Sequence, residues 1–237
     1  MIHLDTILAA PNVLHWLGTD ELGRDILLRL GQGVGLSLTV GLCVGAITAV
    51  VGITLGLWAG WKGGWVDTLI NRLCDVVLSL PGLLMALALT ALLGPSLVNV
   101  ILALGLLGWV GFCRLARAEV LRLKNRPFVL AAKLGGVGTA GVLLRHVLPL
   151  AAPPLVVEAV VVVAGSMVAE AGLSFLGLGV PPPTPSLGGM LREGIRTAMV
   201  APHAVLAPAV VLIGLTVSLN MVAEGLRARY LSGTTQG

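Results

Sequence analysis

Long stretches without a charged residue constrain this chain most. Residues 30–61, 76–113 and 197–223 contain no Asp, Glu, Lys or Arg. About 20 apolar residues suffice to cross a hydrocarbon core roughly 30 Å thick, so each stretch can span a bilayer. The second stretch is long enough for two crossings, because Gly94 and Pro95 supply a turn near its middle. The chain is therefore predicted to be an integral membrane protein.

The predicted fold class is an all-α, polytopic membrane protein with about five transmembrane helices. Charged residues make up 11% of the chain, against roughly 25% in an ordinary soluble domain. The apolar stretches are continuous rather than alternating, which favours helices over the strands of a barrel. Pro81 is expected to kink the second helix, because proline lacks a backbone donor. The predicted helices cover residues 34–60, 76–93, 97–113, 150–172 and 204–223.

Basic residues are distributed unevenly over the loops of this five-helix arrangement. Of the 15 Lys and Arg residues, Arg24, Arg29, Arg192 and Arg196 fall on one side and all others on the opposite side. The positive-inside rule then places the N-terminus outside and the C-terminus in the cytoplasm. This distribution fits membrane lipid as a partner, and no nucleic acid is expected. The predicted division is an external N-terminal segment, residues 1–32, a transmembrane domain, 33–230, with a cytoplasmic loop, 114–149, and a cytoplasmic tail, 231–237.

The chain carries no recognisable catalytic, nucleotide-binding or metal-binding motif. It lacks Gly-x-x-x-x-Gly-Lys-Ser/Thr, His-Glu-x-x-His and Gly-x-Ser-x-Gly, which hold nucleotide phosphates, zinc and a nucleophilic serine. The three cysteines form no Cys-x-x-Cys pair, and the four histidines have no ligand spacing. The chain is therefore expected to be no enzyme and to have no catalytic residue, metal site or cofactor of its own. A lone secondary transporter or a channel subunit is the alternative, although no internal repeat supports it.

Small residues form two stripes along the first predicted helix. Small side chains at one-turn spacing let helices approach closely in lipid, where packing rather than hydrophobicity drives association. Packing within the chain and contact with a partner subunit are both open. The stripes are Gly41, Gly45 and Ala49, and Gly52, Gly56 and Gly60.

The outer segment ends in a short amphipathic stretch, residues 20–30. Asp20 is expected to cap a helix there, because aspartate is favoured at the first cap position. Asp25 and Arg29 are four residues apart and are expected to pair on one helix face.

Two carboxylates within the fourth predicted helix are candidates for the transport pathway. An ionisable side chain at membrane depth is costly unless it is paired or functional. Glu170 lies near the outer end of the helix, and Ser174 and Phe175 follow it closely. These three are gate candidates, with a capping or interfacial role of Glu170 as the alternative. Glu158 lies nearer the inner half and is a further pathway candidate.

The most basic part of the chain contains a folded segment, residues 126–149. Its residues predict a small-residue helix, a glycine break and a second short helix. Gly135 and Gly136 permit a left-handed turn at the break. Pro149 is expected to end the second helix before the next span. A rigid island of this kind between two spans is suited to contact a partner in the cytoplasm.

The spacing within this segment resembles the EAA motif of permease subunits of bacterial binding-protein-dependent ABC importers. That motif reads Glu-Ala-Ala, three residues, Gly, nine residues, Ile, one residue, Leu-Pro, and the spacing is kept throughout. Leu130 stands in place of the glutamate, so a salt bridge from that position is not expected. With Arg145, the residues that match are candidate contacts to an ATPase: Leu130, Ala131, Ala132, Gly136, His146, Leu148 and Pro149.

Two other segments, residues 15–25 and 173–180, resemble the branch of these permeases that imports dipeptides, oligopeptides and nickel. The first of them and the Phe-Val-Leu-Ala at residues 128–131 are closer to nickel members, which are slightly favoured. Residues 182–185, Pro-Pro-Thr-Pro, occur among peptide members, so both substrates stay open. Relatives have a further span upstream, and the chain is expected to be a five-span form or to have its start assigned too far downstream.

The resemblance also implies a mechanism and a set of partners. It implies the type I (MetI-like) permease fold in a bacterial inner membrane, with this chain forming half of the pathway for nickel ions or di- and oligopeptides. The implied partners are a second homologous permease subunit, two cytoplasmic ATPases that bind ATP and Mg, and an extracytoplasmic substrate-binding protein. Closing of the ATPases would move residues 126–149 as a lever.

Overall fold

The structure is a computed structural model that describes the backbone of residues 7–234 and the side chains of residues 7–230. Its regular structure is helical, apart from an isolated bridge between Thr19 and Asp25. The predicted all-α class agrees with this. The helices are α1 (Ile26–Lys62), α2 (Gly64–Leu78), α3 (Gly82–Leu93), α4 (Leu97–Leu123), α5 (Pro127–Leu134), α6 (Thr139–Val142), α7 (Leu148–Phe175), α8 (Leu187–Gly194) and α9 (His203–Thr234).

Four helical runs within the described residues are long and apolar enough to cross a membrane. They are Ile26–Lys62, Leu97–Leu123, Thr139–Phe175 and His203–Tyr230. A fifth crossing is reached if α2 and α3, which are bent by 80° at their junction, count as one broken span. The number of spans therefore agrees with the prediction of about five.

The kink predicted at Pro81 is confirmed, and it is a complete break within the predicted helix 76–93. Residues 79–81 interrupt it, because Pro81 lacks a backbone donor and its ring keeps the preceding residue out of the helical region. The helix that follows, α3, has 12 residues. At 1.5 Å per residue it extends roughly 18 Å, which is too short to cross the bilayer alone.

Two helices extend beyond the predicted membrane boundaries. α1 begins at Ile26, inside the predicted external segment, and α4 continues to Leu123, inside the predicted loop 114–149. A helix does not stop where the hydrocarbon ends if no proline or cap interrupts it. Residues 1–6 and 235–237, which belong to the predicted external segment and tail, lie outside the described residues.

The described chain divides into two compact units. Unit 1 comprises residues 7–44, 83–104 and 163–219, and unit 2 comprises residues 45–82, 105–162 and 220–234. The four basic residues that were placed outside by charge counting all fall in unit 1, and the other Lys and Arg residues all fall in unit 2.

Each unit has its own apolar core. In unit 1, Ile26 and Leu30 of α1 pack with Leu187, Met190 and Ala204. In unit 2, one cluster joins α1 and α4 to the segment 126–149. Its buried members are Leu57, Val120, Leu123, Val129, Val142 and Val147.

The second glycine stripe of α1 packs against α4 within unit 2. A Cβ atom at Gly60 would lie 2.8 Å from the Cβ atom of Val120. At Gly52 and Gly56 it would overlap the α4 backbone, including the carbonyl group of Cys113. This contact supports packing within the chain for the second stripe rather than contact with a partner subunit.

Candidate functional site

The glycine break in the segment 126–149 is a well-formed helix end. The Val137 amide donates to the Ala132 carbonyl at 3.1 Å, and the Gly136 amide donates to the Lys133 carbonyl at 3.1 Å. This pair of bonds is the Schellman arrangement, which needs a left-handed residue after the helix. Gly136 supplies it with φ +81°, whereas Gly135 has φ −73°. Only one of the two predicted glycines therefore takes the left-handed conformation.

The second helix of this segment continues into α7, so the prediction that Pro149 ends it is wrong. After α6, residues Leu143–Val147 form a π-helical turn, and α7 begins at once with Leu148. The Leu148 amide donates to the carbonyl of Leu143, five residues back. This wider turn accommodates the missing donor and the ring of Pro149, because the carbonyl that a proline would strike is displaced.

The segment 126–149 turns apolar side chains both inward and outward. Val129 and Val142 are fully buried in the unit 2 core. Leu130 is 44% exposed and Leu134 is 90% exposed, and Ala131 beside them is exposed as well. A basic loop that leaves such side chains uncovered is typical of a surface that a partner protein covers.

Three polar contacts lie at or near the same segment in unit 2. The Lys133 ammonium lies 4.2 Å from the centre of the Trp61 ring, a cation–π contact. Arg117 donates to both carboxylate oxygens of Asp67 at 2.5 and 2.6 Å. The Lys124 ammonium donates to the Gly60 carbonyl at 3.3 Å. The first contact ties the segment to α1, and the other two tie α4 and the residue that follows it to α2 and α1.

Two further predicted contact residues lie on the helical turn before α7. Arg145 is exposed, and within the described residues it has no ion-pair partner. His146 is partly buried, and its Nδ1 atom makes no hydrogen bond in the described part of the chain. Leu148 packs against the same core as Val142, and Pro149 is exposed. These positions form one continuous stretch with Gly136 and α5.

A second set of charged residues, in unit 1, was not identified as a site from the sequence. Asp20 accepts hydrogen bonds from Arg24 Nε at 2.7 Å and from Arg29 Nη1 at 2.5 Å. Glu193 of α8 accepts from the same two arginines at 3.1 and 2.7 Å. The network fixes the outer segment to α8.

The predicted pairing of Asp25 with Arg29 is wrong. Asp25 lies 2.8 Å from His15 Nδ1 and caps α1 by accepting from the Leu28 amide at 3.0 Å. Asp20 closes a turn instead, where it accepts from the Leu22 and Arg24 amides. Position along the chain could not reveal this, because Arg29 is turned towards α8.

The environment of Asp20 favours its charged form. Burial alone would raise the pKa of this carboxyl. The amide groups of Arg24 and Leu22, the Arg24 side chain and the charge of Arg29 outweigh burial and hold the pKa below its usual value of 3.8.

These arginines line a cavity of about 430 Å³ in unit 1. Its other walls come from Ser174 at the end of α7, the proline-rich loop 181–185 and α8. Arg192 and Arg196 also line it, and neither has an ion-pair partner among the described residues. The charge pattern predicted these arginines on one side of the membrane, but it could not predict that they meet around one space.

Two of the predicted gate residues lie together, and one of them reaches this cavity. Glu170 is 0% exposed and accepts hydrogen bonds from Ser174 Oγ at 2.7 Å and Ser37 Oγ at 3.1 Å. Ser174 lines the cavity on its other side. Phe175, the last residue of α7, is 37% exposed and does not line it.

The other predicted pathway residue, Glu158, belongs to unit 2. It is half-buried, and its Oε1 atom lies over Gly111 of α4, where a methyl group would overlap it.

Comparison with known proteins places these features in a family context. Residues 52–232 match the family described as binding-protein-dependent transport system inner membrane component. The glutathione transport system permease protein GsiD of Shigella flexneri serotype 5b (strain 8401) is 41% identical over 223 residues, which cover 94% of this chain and 74% of that protein. GsiD of Escherichia coli O6:K15:H31 (strain 536 / UPEC) is 40% identical over the same shares.

Among solved structures, an inward facing conformation of the MetNI methionine ABC transporter is similar. Its matching chain superimposes with a TM-score of 0.63 at 18% identity, covering 86% of this chain and 97% of that chain. At this identity the likeness concerns the fold alone, and it confirms the MetI-like fold that was expected above.

Proposed function

We propose, because this chain belongs to the family of binding-protein-dependent transport system inner membrane components, that it forms half of the translocation pathway for peptide-like substrates. The chain is an ABC importer permease of the family that includes peptide permeases, located as a multi-pass protein in the inner membrane. What is proposed is its substrate class, its coupling residues and its orientation.

The structure of the segment 126–149 supports the proposal most strongly. Its helix end at Gly136 is closed by two backbone hydrogen bonds, which favours a rigid segment. It is attached to α1 through Lys133 and Trp61, and it leaves Leu130 and Leu134 uncovered. A rigid, attached and partly apolar segment is what a cytoplasmic ATPase needs in order to move membrane helices.

The substitution of Leu130 for the glutamate of the motif changes the expected contact with the ATPase. Leu130 can contribute apolar contact but no ion pair. We therefore assign specificity at this interface to the basic residues, of which Arg145 is exposed and unpaired among the described residues. Ala131 and Ala132 would let the ATPase surface approach closely.

Charge supports the proposed orientation. Unit 2 contains the segment 126–149 and every Lys and Arg residue except Arg24, Arg29, Arg192 and Arg196. An excess of Lys and Arg marks the cytoplasmic side of membrane proteins. We therefore place unit 2, and with it the C-terminal end of α9, on the cytoplasmic side.

Two observations favour a peptide-like substrate over nickel. The relatives that match along most of their length are named as permeases of a glutathione transport system. The cavity in unit 1 is lined by four arginines and one glutamate, and such a surface repels a divalent cation.

Family membership implies ATPase and substrate-binding protein partners in general. We propose two ATPase subunits, which bind ATP and Mg, and a second permease subunit. ATP and the loaded binding protein would each have to favour the outward-facing state, because a ligand shifts an equilibrium only by its differential affinity.

Reconstitution tests this function directly. Vesicles would contain the permease pair with its ATPases, and the binding protein with a labelled dipeptide would be added outside. Uptake is expected only when the vesicles enclose ATP and only when the ATPases are present. Uptake that persists without the ATPases would favour a lone secondary transporter or channel instead.

A further inference from the structure

The cavity in unit 1 has a charge imbalance that its internal ion pairs do not remove. Four guanidinium groups line it, from Arg24, Arg29, Arg192 and Arg196, and Glu193 is the one carboxylate among the described lining residues. Asp20 neutralises a further charge, because it binds Arg24 and Arg29 from behind. Two positive charges, those of Arg192 and Arg196, are left without an ion-pair partner in the described part of the chain.

The paired arginines form a fixed wall. Arg29 has a nearly buried side chain and bridges Asp20 and Glu193 at 2.5 and 2.7 Å. Arg24 bridges the same two carboxylates at 2.7 and 3.1 Å. Asp20 and Glu193 neutralise the charges of these two residues, which therefore shape the cavity rather than add to its net positive charge.

Arg192, one of the two unpaired arginines, is positioned by the backbone around it. The Arg192 guanidinium lies on the backbone of Gly177, where a methyl group would overlap it. Gly177 has φ +85°, a conformation that favours glycine. Ser186 caps α8 by accepting from the Gly189 amide at 3.0 Å, and this fixes the helix that carries Arg192. The free donors therefore face a defined space.

The size and chemistry of the space select a ligand class. A volume of about 430 Å³ falls within the range of small-molecule sites, roughly 300–1,000 Å³. The planar fork of a guanidinium matches a carboxylate with two parallel hydrogen bonds. A peptide carries an ionised terminal carboxylate at neutral pH, because the pKa of that group is about 3.5.

We infer that the cavity bounded by Arg192, Arg196 and the loop 181–185 is a binding site for the terminal carboxylate of the transported peptide. This inference rests on the proposed function and adds a recognition step within the permease itself. The site takes the substrate when the binding protein releases it. Ser174, which lines the cavity and donates to the buried Glu170, extends the polar surface from this site to α7.

The test compares a labelled dipeptide with its C-terminal amide. The purified permease–ATPase complex, without the binding protein, is saturated with the labelled dipeptide, which is then displaced by unlabelled dipeptide or by the amide. In the native complex the dipeptide should displace the label at least about tenfold better than the amide, the worth of a hydrogen-bonded charge pair. In the double variant Arg192→Gln with Arg196→Gln this difference should disappear.

Two further variants guard against trivial effects. Arg192→Lys with Arg196→Lys retains the charge and should keep part of the preference. Arg72→Gln makes the same change at an exposed arginine of unit 2 and should keep all of it. Gel filtration of each complex checks that it remains folded and assembled.

Three results would overturn the inference. They are equal displacement by the dipeptide and its amide, an undiminished preference in the glutamine double variant, and no saturable binding to the native complex. If the glutamine double variant instead weakens binding of the substrate-free binding protein, the two arginines bind a carboxylate of that protein rather than that of the peptide. Failure of the proposed function would be seen separately, because the native chain would then support no ATP-dependent peptide uptake.

Discussion

Asp20 is the residue on which the outer ion network depends. It is 5% exposed and contacts both Arg24 and Arg29. Removing one partner of a buried pair leaves the other charge desolvated and unpaired. Asp20→Asn should therefore lower the free energy of unfolding by about 3 kcal/mol, measured by chemical unfolding in detergent.

The control for this change is Asp75→Asn. Asp75 pairs with Arg114, but both side chains are at least half exposed. Exposed pairs contribute about 0–1 kcal/mol, so this variant should remain close to the native protein. An equal loss in both variants would contradict the account of the network.

The lowered pKa of Asp20 predicts an acid dependence of stability. Burial opposes its ionisation, but the Arg24 and Leu22 amides and the two arginines prevail. The stabilisation is fully present above the unfolded pKa of 3.8 and is lost as the pH falls through the lower folded pKa. The difference in unfolding free energy between the native protein and Asp20→Asn should shrink in this acid range. A difference that stays constant would contradict it.

Gly136 tests the role of the break between α5 and α6. It has φ +81° and open space where a Cβ would stand. Gly136→Ala should therefore cost about 1 kcal/mol through backbone strain alone and lower the ATP-dependent uptake of peptide per ATP hydrolysed. Gly135→Ala is the matched control, because Gly135 has φ −73° and its new Cβ would meet only ordinary contacts, at 3.4 Å or more. Equal coupling in both variants would remove Gly136 from the mechanism.

Among single residues, the sequence predicted the backbone conformation of a glycine better than the partners of a charged side chain. A glycine pair after a helix indicates a left-handed cap, and the structure has one at Gly136. The partner of Arg29 could not be predicted, because Asp20 and Glu193 approach it only through tertiary folding. Spacing of four residues favours a local pair but does not exclude a distant one that is better buried.

At the scale of elements, the contact between α1 and α4 depends on missing side chains. A Cβ at Gly56 would overlap the Cys113 carbonyl. Gly56→Ala should therefore lower the unfolding free energy by about 1–3 kcal/mol through overpacking. Gly31→Ala lies in the same helix with nothing within 4 Å, and should be neutral or stabilising by up to about 1 kcal/mol. Chemical unfolding of both variants in detergent makes the comparison, and similar losses would contradict close packing at Gly56.

Apolar runs predicted the long helices but not the effect of each proline. Apolar runs located α1, α4, α7 and α9, because length and hydropathy decide whether a helix can span the bilayer. The two prolines had opposite outcomes. Pro81 separates α2 from α3, whereas Pro149 is accommodated by a π-helical turn. Whether a proline breaks the helix depends on whether the preceding turn can widen, and the neighbouring residues in the sequence do not reveal this.

For the whole molecule, the charge distribution and the contact structure agree. Counting Lys and Arg residues separated four from the rest, and the same four fall in unit 1. The family and the fold were also predictable, since the motifs are spread over most of the chain. The cavity was not, because its arginines come from two distant segments, residues 24–29 and 192–196.

Peptide import, the function proposed for this permease, can be measured in cells with and without the gene. Uptake of labelled dipeptide and of labelled nickel would be compared side by side. Deletion of the gene is expected to abolish peptide uptake and to leave nickel uptake unchanged, and restoring the gene should restore peptide uptake. Loss of nickel uptake with peptide uptake intact would contradict the proposed function.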